Sequence, residues 1–310
     1  MSTPNNFLMI AKPLSITDTM LDSTNIPEDD YAAWVNSTTY STGARVIMTT
    51  THRIYESLAD GNKGHSPDTS PDYWLDVSAT NRWKAFDSSS TSQTLGVEES
   101  GEYRIVYTLK PAQILNCLAI MNITGGNEIL IQCVDTDYGL IYDKDIDISP
   151  LPPSPDWWSW FFGERYQKTQ YIAIDFVALM NTEIMIEVIG TSELAIGMIL
   201  LAQQKRYSLG ITEGAQIGIQ DYSIKETNEF GDTYILERPF ARRATFEFLM
   251  HKNQVDSFNQ YISSIRAQSC LCMIGDGYEA LSIFGFYKTF NIWIEYPDYV
   301  VGEIEWLGLT

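Results

Sequence analysis

The chain has 310 residues, of which 45% are hydrophobic and 19% charged, so wholesale disorder is excluded and a large core is expected. Its 20 basic and 40 acidic residues give a formal net charge of −20. Because this charge repels phosphate groups, we expect neither nucleic acid nor an anionic membrane surface as a partner. The longest apolar run, residues 195–202, is far shorter than the ~20 residues of a spanning helix, which predicts no membrane insertion.

Short apolar runs separated by turn residues predict a mainly β chain. The aromatic fraction of 13% also favours strands. A prior of about 150 residues per domain gives two domains or three small ones. We expect an extended N-terminal arm over 1–30, a small aromatic-cored β module over 31–80, a β-sandwich or jelly roll over 81–203, and an α+β domain with one amphipathic helix over 204–310.

The first 30 residues are polar and end in three acidic residues, Glu28, Asp29 and Asp30. One short strand is predicted over 7–10. The segment either frays, as chain termini commonly do, or docks on a neighbouring subunit.

The next segment combines aromatic residues with glycine and turn residues, and strands are predicted over 44–49 and 53–58. It resembles the small chitin-binding type of carbohydrate-binding module, through Ala33-Trp34, Tyr40, Gly43, Val46, Tyr55 and Trp74. The resemblance implies that sugar rings stack on Trp34, Tyr40, Tyr55 and Trp74. The sequence departs from the pattern at residues 58–60, where Leu-Ala-Asp replaces exposed tandem aromatics. In the other interpretation, the four aromatic residues form the small core of a structural module.

The run Asn81-Arg82-Trp83-Lys84-Ala85-Phe86-Asp87 is followed by serine and threonine residues and then by alternating strands such as 103–109. This order resembles the entry to a discoidin-like, galactose-binding-like jelly roll. We expect the Asp87 carboxylate to accept hydrogen bonds from the following turn. The alternative role for Asp87 is that of a cation ligand.

Five large aromatic residues lie within six positions: Trp157, Trp158, Trp160, Phe161 and Phe162. They cannot all be favourable in water. Either they cap the sandwich domain or they form a subunit interface, since tryptophan is enriched at interface hot spots. Sugar stacking is a third possibility.

The last hundred residues contain one amphipathic helix pattern, in which Val255, Phe258, Ile262 and Ile265 share a face. Strands over 271–274, 281–286, 290–296 and 299–307 complete an α+β domain.

The residue types that usually act in catalysis or metal binding give only weak evidence for either function here. The four cysteines, Cys117, Cys133, Cys270 and Cys272, are expected to be reduced and mostly buried. The alternating Asp143, Asp145 and Asp147 suggest calcium, but the glycine and glutamate of the EF-hand loop are missing, and a solvated acidic face is the other interpretation. We predict no catalytic residue, no metal and no cofactor.

The order of the segments resembles that of bacteriophage tail-tip or baseplate virion proteins. Residues 218–223, Phe230-Gly231, Arg238 and residues 281–288 are similar to segments of such proteins. The resemblance implies a structural, non-enzymatic protein made in the host cytoplasm and located in the virion tail. Its expected partners are other tail proteins, further copies of itself in a ring or tip, and a host surface glycan.

Two other functions stay open. One is a polysaccharide depolymerase or tail-associated glycan hydrolase, which needs two carboxylates at catalytic separation. The other is a bacterial adhesin with a sugar-binding module, which the lack of a secretory signal pattern at the N-terminus disfavours.

Overall fold

The computed structural model describes residues 7–89, 91–150, 156–163, 166–207, 209–211, 215–274, 279–294 and 296–309. Strands hold 55% of the residues and helices 9%, which confirms the predicted mainly β class. The first six residues of the predicted arm lie outside the described residues. The strands are β1 (Leu8–Pro13), β2 (Leu21–Thr24), β3 (Arg45–Met48), β4 (Arg53–Ser57), β5 (Trp74–Ala79), β6 (Thr94–Leu95), β7 (Val97–Glu99), β8 (Glu102–Leu109), β9 (Cys117–Asp135), β10 (Gly139–Asp147), β11 (Gln170–Ala173), β12 (Thr182–Arg206), β13 (Gly210–Ile211), β14 (Gln216–Asp221), β15 (Ile224–Thr227), β16 (Thr233–Leu236), β17 (Phe240–His251), β18 (Cys270–Ile274), β19 (Ile283–Trp293) and β20 (Tyr299–Gly308).

Helices are few and short. The α-helices are α1 (Trp157–Phe162) and α2 (Val255–Ser264), and the 3-10 turns are Asp18–Met20, Lys84–Phe86, Lys252–Gln254 and Glu279–Leu281. None of the described helices is long and apolar enough to span a membrane.

The chain divides into two compact units. Unit 1 comprises Met1–Leu14, Leu115–Cys117 and Leu201–Thr310, and unit 2 comprises Ser15–Ile114 and Leu118–Leu200. The division after residue 200 falls inside strand β12, a few residues before the boundary expected at 203.

Unit 2 contains a set of long antiparallel strands. Strand β9 pairs with β10 and β11, and β8 pairs with β2, β7 and β12. The predicted alternation over 103–109 is confirmed by β8, in which Ile105, Tyr107 and Leu109 are buried. The apolar interior of this unit is therefore built from one side of β8 and from stretches of β9 and β12, at residues 118–120 and 194–200, that are buried on both sides.

The aromatic module is a separate three-stranded sheet within unit 2, with the order β3-β4-β5. Its core consists of Val46, Tyr55 and Trp74, against which Trp34 and Tyr40 pack. The small aromatic core expected for residues 31–80 is therefore present.

Unit 1 is an antiparallel sheet with the order β12-β1-β18-β19-β20-β17, and β13 and β14 both pair with β17. Helix α2 packs Phe258, Tyr261 and Ile262 into the core that Phe248 and Trp306 share. The predicted amphipathic helix is thus confirmed, although the helix ends at Ser264 rather than including Ile265.

Within the arm expected over 1–30, the strand predicted over 7–10 is confirmed by β1, whereas the fraying interpretation is wrong for this strand. Strand β1 lies between β12 and β18, and Leu8 to Ala11 are all buried. The Tyr261 hydroxyl donates a hydrogen bond to the Ile10 carbonyl, at 3.3 Å. Four consecutive apolar side chains suit a strand that is covered on both faces, so this segment is part of the unit 1 core.

All four cysteines are free and buried, as predicted. Burial raises the pKa of Cys117 and of Cys133 to about 12, and that of Cys270 to about 11. The thiols are therefore held in the protonated, unreactive form at neutral pH.

Candidate functional site

The four aromatic residues expected to stack on sugar lie in or against the core of the aromatic module. Tyr55 is 6% exposed and Trp74 is 3% exposed. The Trp74 indole nitrogen donates to the His65 carbonyl, at 2.9 Å, and the Tyr40 ring meets Trp74 edge to face at 5.2 Å. Trp34 and Tyr40 are half-buried. Neither Tyr55 nor Trp74 offers a free face, so the structure corresponds to the small-core interpretation of these residues.

A polar groove runs beside the aromatic module. It has a volume of about 410 Å³ and is lined by Arg53, Val77, Ser78, Lys84, Asp87, Ser89, Thr91 and Ser92. A neighbouring cleft of about 220 Å³ shares Arg53 and Asp87 with it. Hydroxyl groups and cations of this kind can form hydrogen bonds with a polyhydroxylated ligand.

Asp87 organises the loop at the edge of this groove. Its Oδ1 accepts a hydrogen bond from the Ser89 backbone at 2.8 Å, and its Oδ2 accepts one from the Ser92 hydroxyl at 2.7 Å. This is the local role predicted for Asp87. Both carboxylate oxygens are occupied by protein donors.

A buried carboxylate anchors the aromatic module within unit 2. Glu28 Oε1 accepts a hydrogen bond from the Thr80 hydroxyl at 3.0 Å, and it lies 3.0 Å from Nδ1 of His52. The His52 ring stacks on Trp83 at 4.2 Å. His52 could not be identified from the sequence, since a lone histidine carries no spacing signal. Its partner Glu28 lies in the acidic run 28–30, which is recognisable in the sequence.

The five clustered aromatic residues form helix α1 and are exposed to solvent. Their exposed fractions run from 55% to 72%. They contact one another, as in the Trp158–Phe162 pair at 4.5 Å. Of the two main alternatives, capping of the sandwich is wrong for the described residues. The subunit-interface alternative stays a prediction.

The alternating acidic residues of strand β10 do not form a metal centre. Asp143, Asp145 and Asp147 are exposed on one face of the strand. Among the described residues, no group of three or more histidine, cysteine, aspartate or glutamate side chains is arranged to hold a metal ion. A side-chain hydrogen bond with Asp145 raises the pKa of the neighbouring Glu128, because one of two carboxyl groups in such a contact must keep its proton.

Residues 216–240 form a second exposed apolar surface, here called the β-arm. It comprises β14, the hairpin of β15 and β16, and the start of β17. Its exposed large side chains, with exposed fractions from 40% to 91%, are Ile217, Ile219, Tyr222, Phe230, Tyr234, Ile235, Leu236 and Phe240. Residues 218–223 and Phe230 belong to the resemblance to tail proteins described above, but their exposure was not predicted from the sequence.

The β-arm has an ordered backbone in spite of its exposure. At its tip, Asn228 Oδ1 accepts hydrogen bonds from the backbone of Phe230 and of Asp232, at 3.0 and 2.8 Å. At its base, Lys225 pairs with Asp221 at 2.7 Å and holds the pKa of that carboxyl well below its ordinary range. Its apolar side chains are thus presented by a defined hairpin.

In comparisons with protein-family models, curated proteins and solved structures, the chain matches none.

Proposed function

We propose that this chain is a structural subunit of a bacteriophage tail tip or baseplate, and that its main activity is binding to other virion proteins. The order of its sequence segments supports the virion assignment. The observation that carries the binding role is the exposed apolar surface of the β-arm.

The β-arm has the properties of a surface that becomes buried on assembly. Among the described strands, β15 and β16 pair only with each other. A two-stranded ribbon is marginally stable in water and usually requires packing against another element. Phe230 at the tip is 91% exposed. Clustered apolar exposure on this scale marks an interaction surface.

The neighbouring strand β14 adds a second feature of this kind. Among the described strands, it pairs on one side only, with β17. Its residues 216–220 are uncharged, whereas edge strands of proteins that stay monomeric usually carry lysine, proline or a bulge. An unprotected edge of this type can accept a strand from another protein.

Binding of a host surface glycan is the second part of the proposal. The polar groove supports it, because hydroxyl groups line the groove next to Arg53 and the half-buried Lys84. A Lys84→Ala variant is expected to lose glycan binding while keeping its thermal stability. If glycan binding survives unchanged in this variant, the groove is not the glycan site.

The experiment for the main proposal is to locate the chain in purified virions of the phage that encodes it. Peptides of the chain should be present in stoichiometric amounts, and gold-labelled antibody should bind at the end of the tail. If the chain is absent from virions, the proposal is wrong. If purified protein releases oligosaccharides from host polysaccharide, the depolymerase alternative replaces it.

A further inference from the structure

We propose that the β-arm of one copy binds the aromatic helix α1 of a second copy, so that copies join head to tail. This inference rests on the proposed assembly function and names one partner for it. The two surfaces are on different units of the chain, the β-arm on unit 1 and α1 on unit 2.

The areas of the two surfaces are suited to a stable contact. An aromatic side chain carries about 150–250 Å² of surface, so the five rings of α1 expose on the order of 600 Å². A stable interface buries about 800 Å² on each partner. The exposed apolar residues of the β-arm are more numerous and include four aromatic residues, Tyr222, Phe230, Tyr234 and Phe240. Each surface can thus provide most of the apolar part of an interface.

The two surfaces differ in structure, so a contact between them is head to tail rather than symmetric. The α1 surface is a cluster of rings on a short helix, whereas the β-arm is a projecting hairpin. Different patches that bind each other give a heterologous contact, which produces a ring when the rotation between copies closes.

The distribution of charge disfavours a symmetric contact between two α1 surfaces. Unit 2 carries 10 basic and 26 acidic residues, a net charge of −16, whereas unit 1 carries 10 and 14, a net charge of −4. A contact between unit 2 of one copy and unit 2 of a second copy brings together the more acidic units of both. A contact of the β-arm with α1 instead joins unit 2 to the less acidic unit 1, and the exposed Arg238 lies close to the C-terminal end of the β-arm. Repulsion between like charges therefore weakens the contact between two copies of unit 2 more than the contact between unit 1 and unit 2.

The test uses two variants of the full chain that keep its net charge. In the arm variant, Tyr234→Lys and Ile235→Asp place new charges across from Glu226 and Lys225, so the hairpin gains cross-strand pairs. In the helix variant, Trp157→Glu and Phe161→Lys are four residues apart and can form an ion pair along α1. Tyr138→Asp removes an equally exposed aromatic residue elsewhere and is the control.

Sedimentation velocity over a range of concentrations measures self-association. We expect wild type and the Tyr138→Asp control to associate, and each variant alone to associate at least 10-fold more weakly. An equimolar mixture of the two variants retains one intact β-arm and one intact α1 surface. That mixture should form a dimer and no larger species.

Three results would overturn the inference: a monomeric wild type at every concentration, self-association unchanged in either variant, or a mixture that stays monomeric. Circular dichroism spectra and melting temperatures that match wild type show that the variants are folded. Failure of the inference is distinguishable from failure of the proposed function, because the chain can be located in virions whichever surface it uses.

Discussion

Nδ1 of His52 lies 3.0 Å from Oε1 of Glu28, whose side chain is only 8% exposed. The pair joins the segment before the aromatic module to the turn that follows strand β3. Because the Thr80 hydroxyl donates to the same oxygen, the Glu28 carboxylate connects two parts of unit 2.

The first prediction concerns this carboxylate. Glu28→Ala leaves the His52 nitrogen and the Thr80 hydroxyl without their acceptor, so we expect the free energy of unfolding to fall by about 1–3 kcal/mol. Urea denaturation followed by tryptophan fluorescence measures the change. The neighbouring exposed Asp29 is the matched control, and Asp29→Ala should stay within about 0.5 kcal/mol of wild type. Equal losses in both variants would show that Glu28 is not an anchor.

The second prediction separates a structural from a sugar-binding role for Trp74. Removing a buried tryptophan costs about 3–5 kcal/mol, so Trp74→Ala should destabilise or unfold the aromatic module. Hydrogen exchange in strands β3 to β5 would report the loss. Leu75, the next residue, is 51% exposed, and Leu75→Ala should leave exchange unchanged. A fully folded Trp74→Ala variant that has lost glycan binding would contradict this account.

The third prediction follows from thiol burial. Ellman's reagent at pH 8 should react slowly with the native chain and should titrate four thiols in guanidinium. Burial raises the pKa of Cys117 to about 12, whereas an unfolded cysteine titrates near ~8.5. Above that value the unfolded chain loses thiol protons that the native chain keeps, so stability should fall from about pH 8.5 to 12. A Cys117→Ala variant should show a shallower fall. Rapid labelling of native protein would contradict the burial.

The fourth prediction concerns Asp87 and cations. Since Ser89 and Ser92 already satisfy its carboxylate, saturating calcium should leave the melting temperature of wild type unchanged. Asp87→Ala should lower the free energy of unfolding by about 1–3 kcal/mol through the loss of these hydrogen bonds. A rise in melting temperature with calcium that disappears in Asp87→Ala would support the cation-ligand alternative.

Local sequence patterns correctly predicted a strand and a helix that each bury only one side. The alternation over 103–109 and the spacing of Val255, Phe258 and Ile262 each reflect burial of one side of an element. The burial of the four cysteines followed from residue type alone.

The place of strand β1 could not be predicted in this way. Its partner β12 pairs Met9 with Arg206, and its partner β18 pairs Met9 with Met273. Nothing in a local window of eleven or so residues specifies partners so distant along the chain. The apolar run from Leu8 to Ala11 predicted the strand itself but not its partners.

The exposure of the aromatic surfaces could not be predicted from the sequence for a different reason, namely that it depends on tertiary structure. Trp74 and Trp157 are the same residue type, yet one is buried and the other is 70% exposed. Composition indicates that an aromatic residue will bury its ring somewhere. Whether it does so within the chain or against a partner depends on which elements the fold brings to it.

The most direct test of the assembly claim is incorporation of the arm variant into tails. Cells that express the wild-type chain, the Tyr234→Lys, Ile235→Asp variant or the Tyr138→Asp control would be infected with phage that lack the gene. The amount of the chain in the purified particles would then be measured by quantitative mass spectrometry. We predict that the control enters particles at the wild-type level and that the arm variant falls at least 10-fold. Wild-type levels of the folded arm variant in infectious particles would contradict the claim that the β-arm carries assembly.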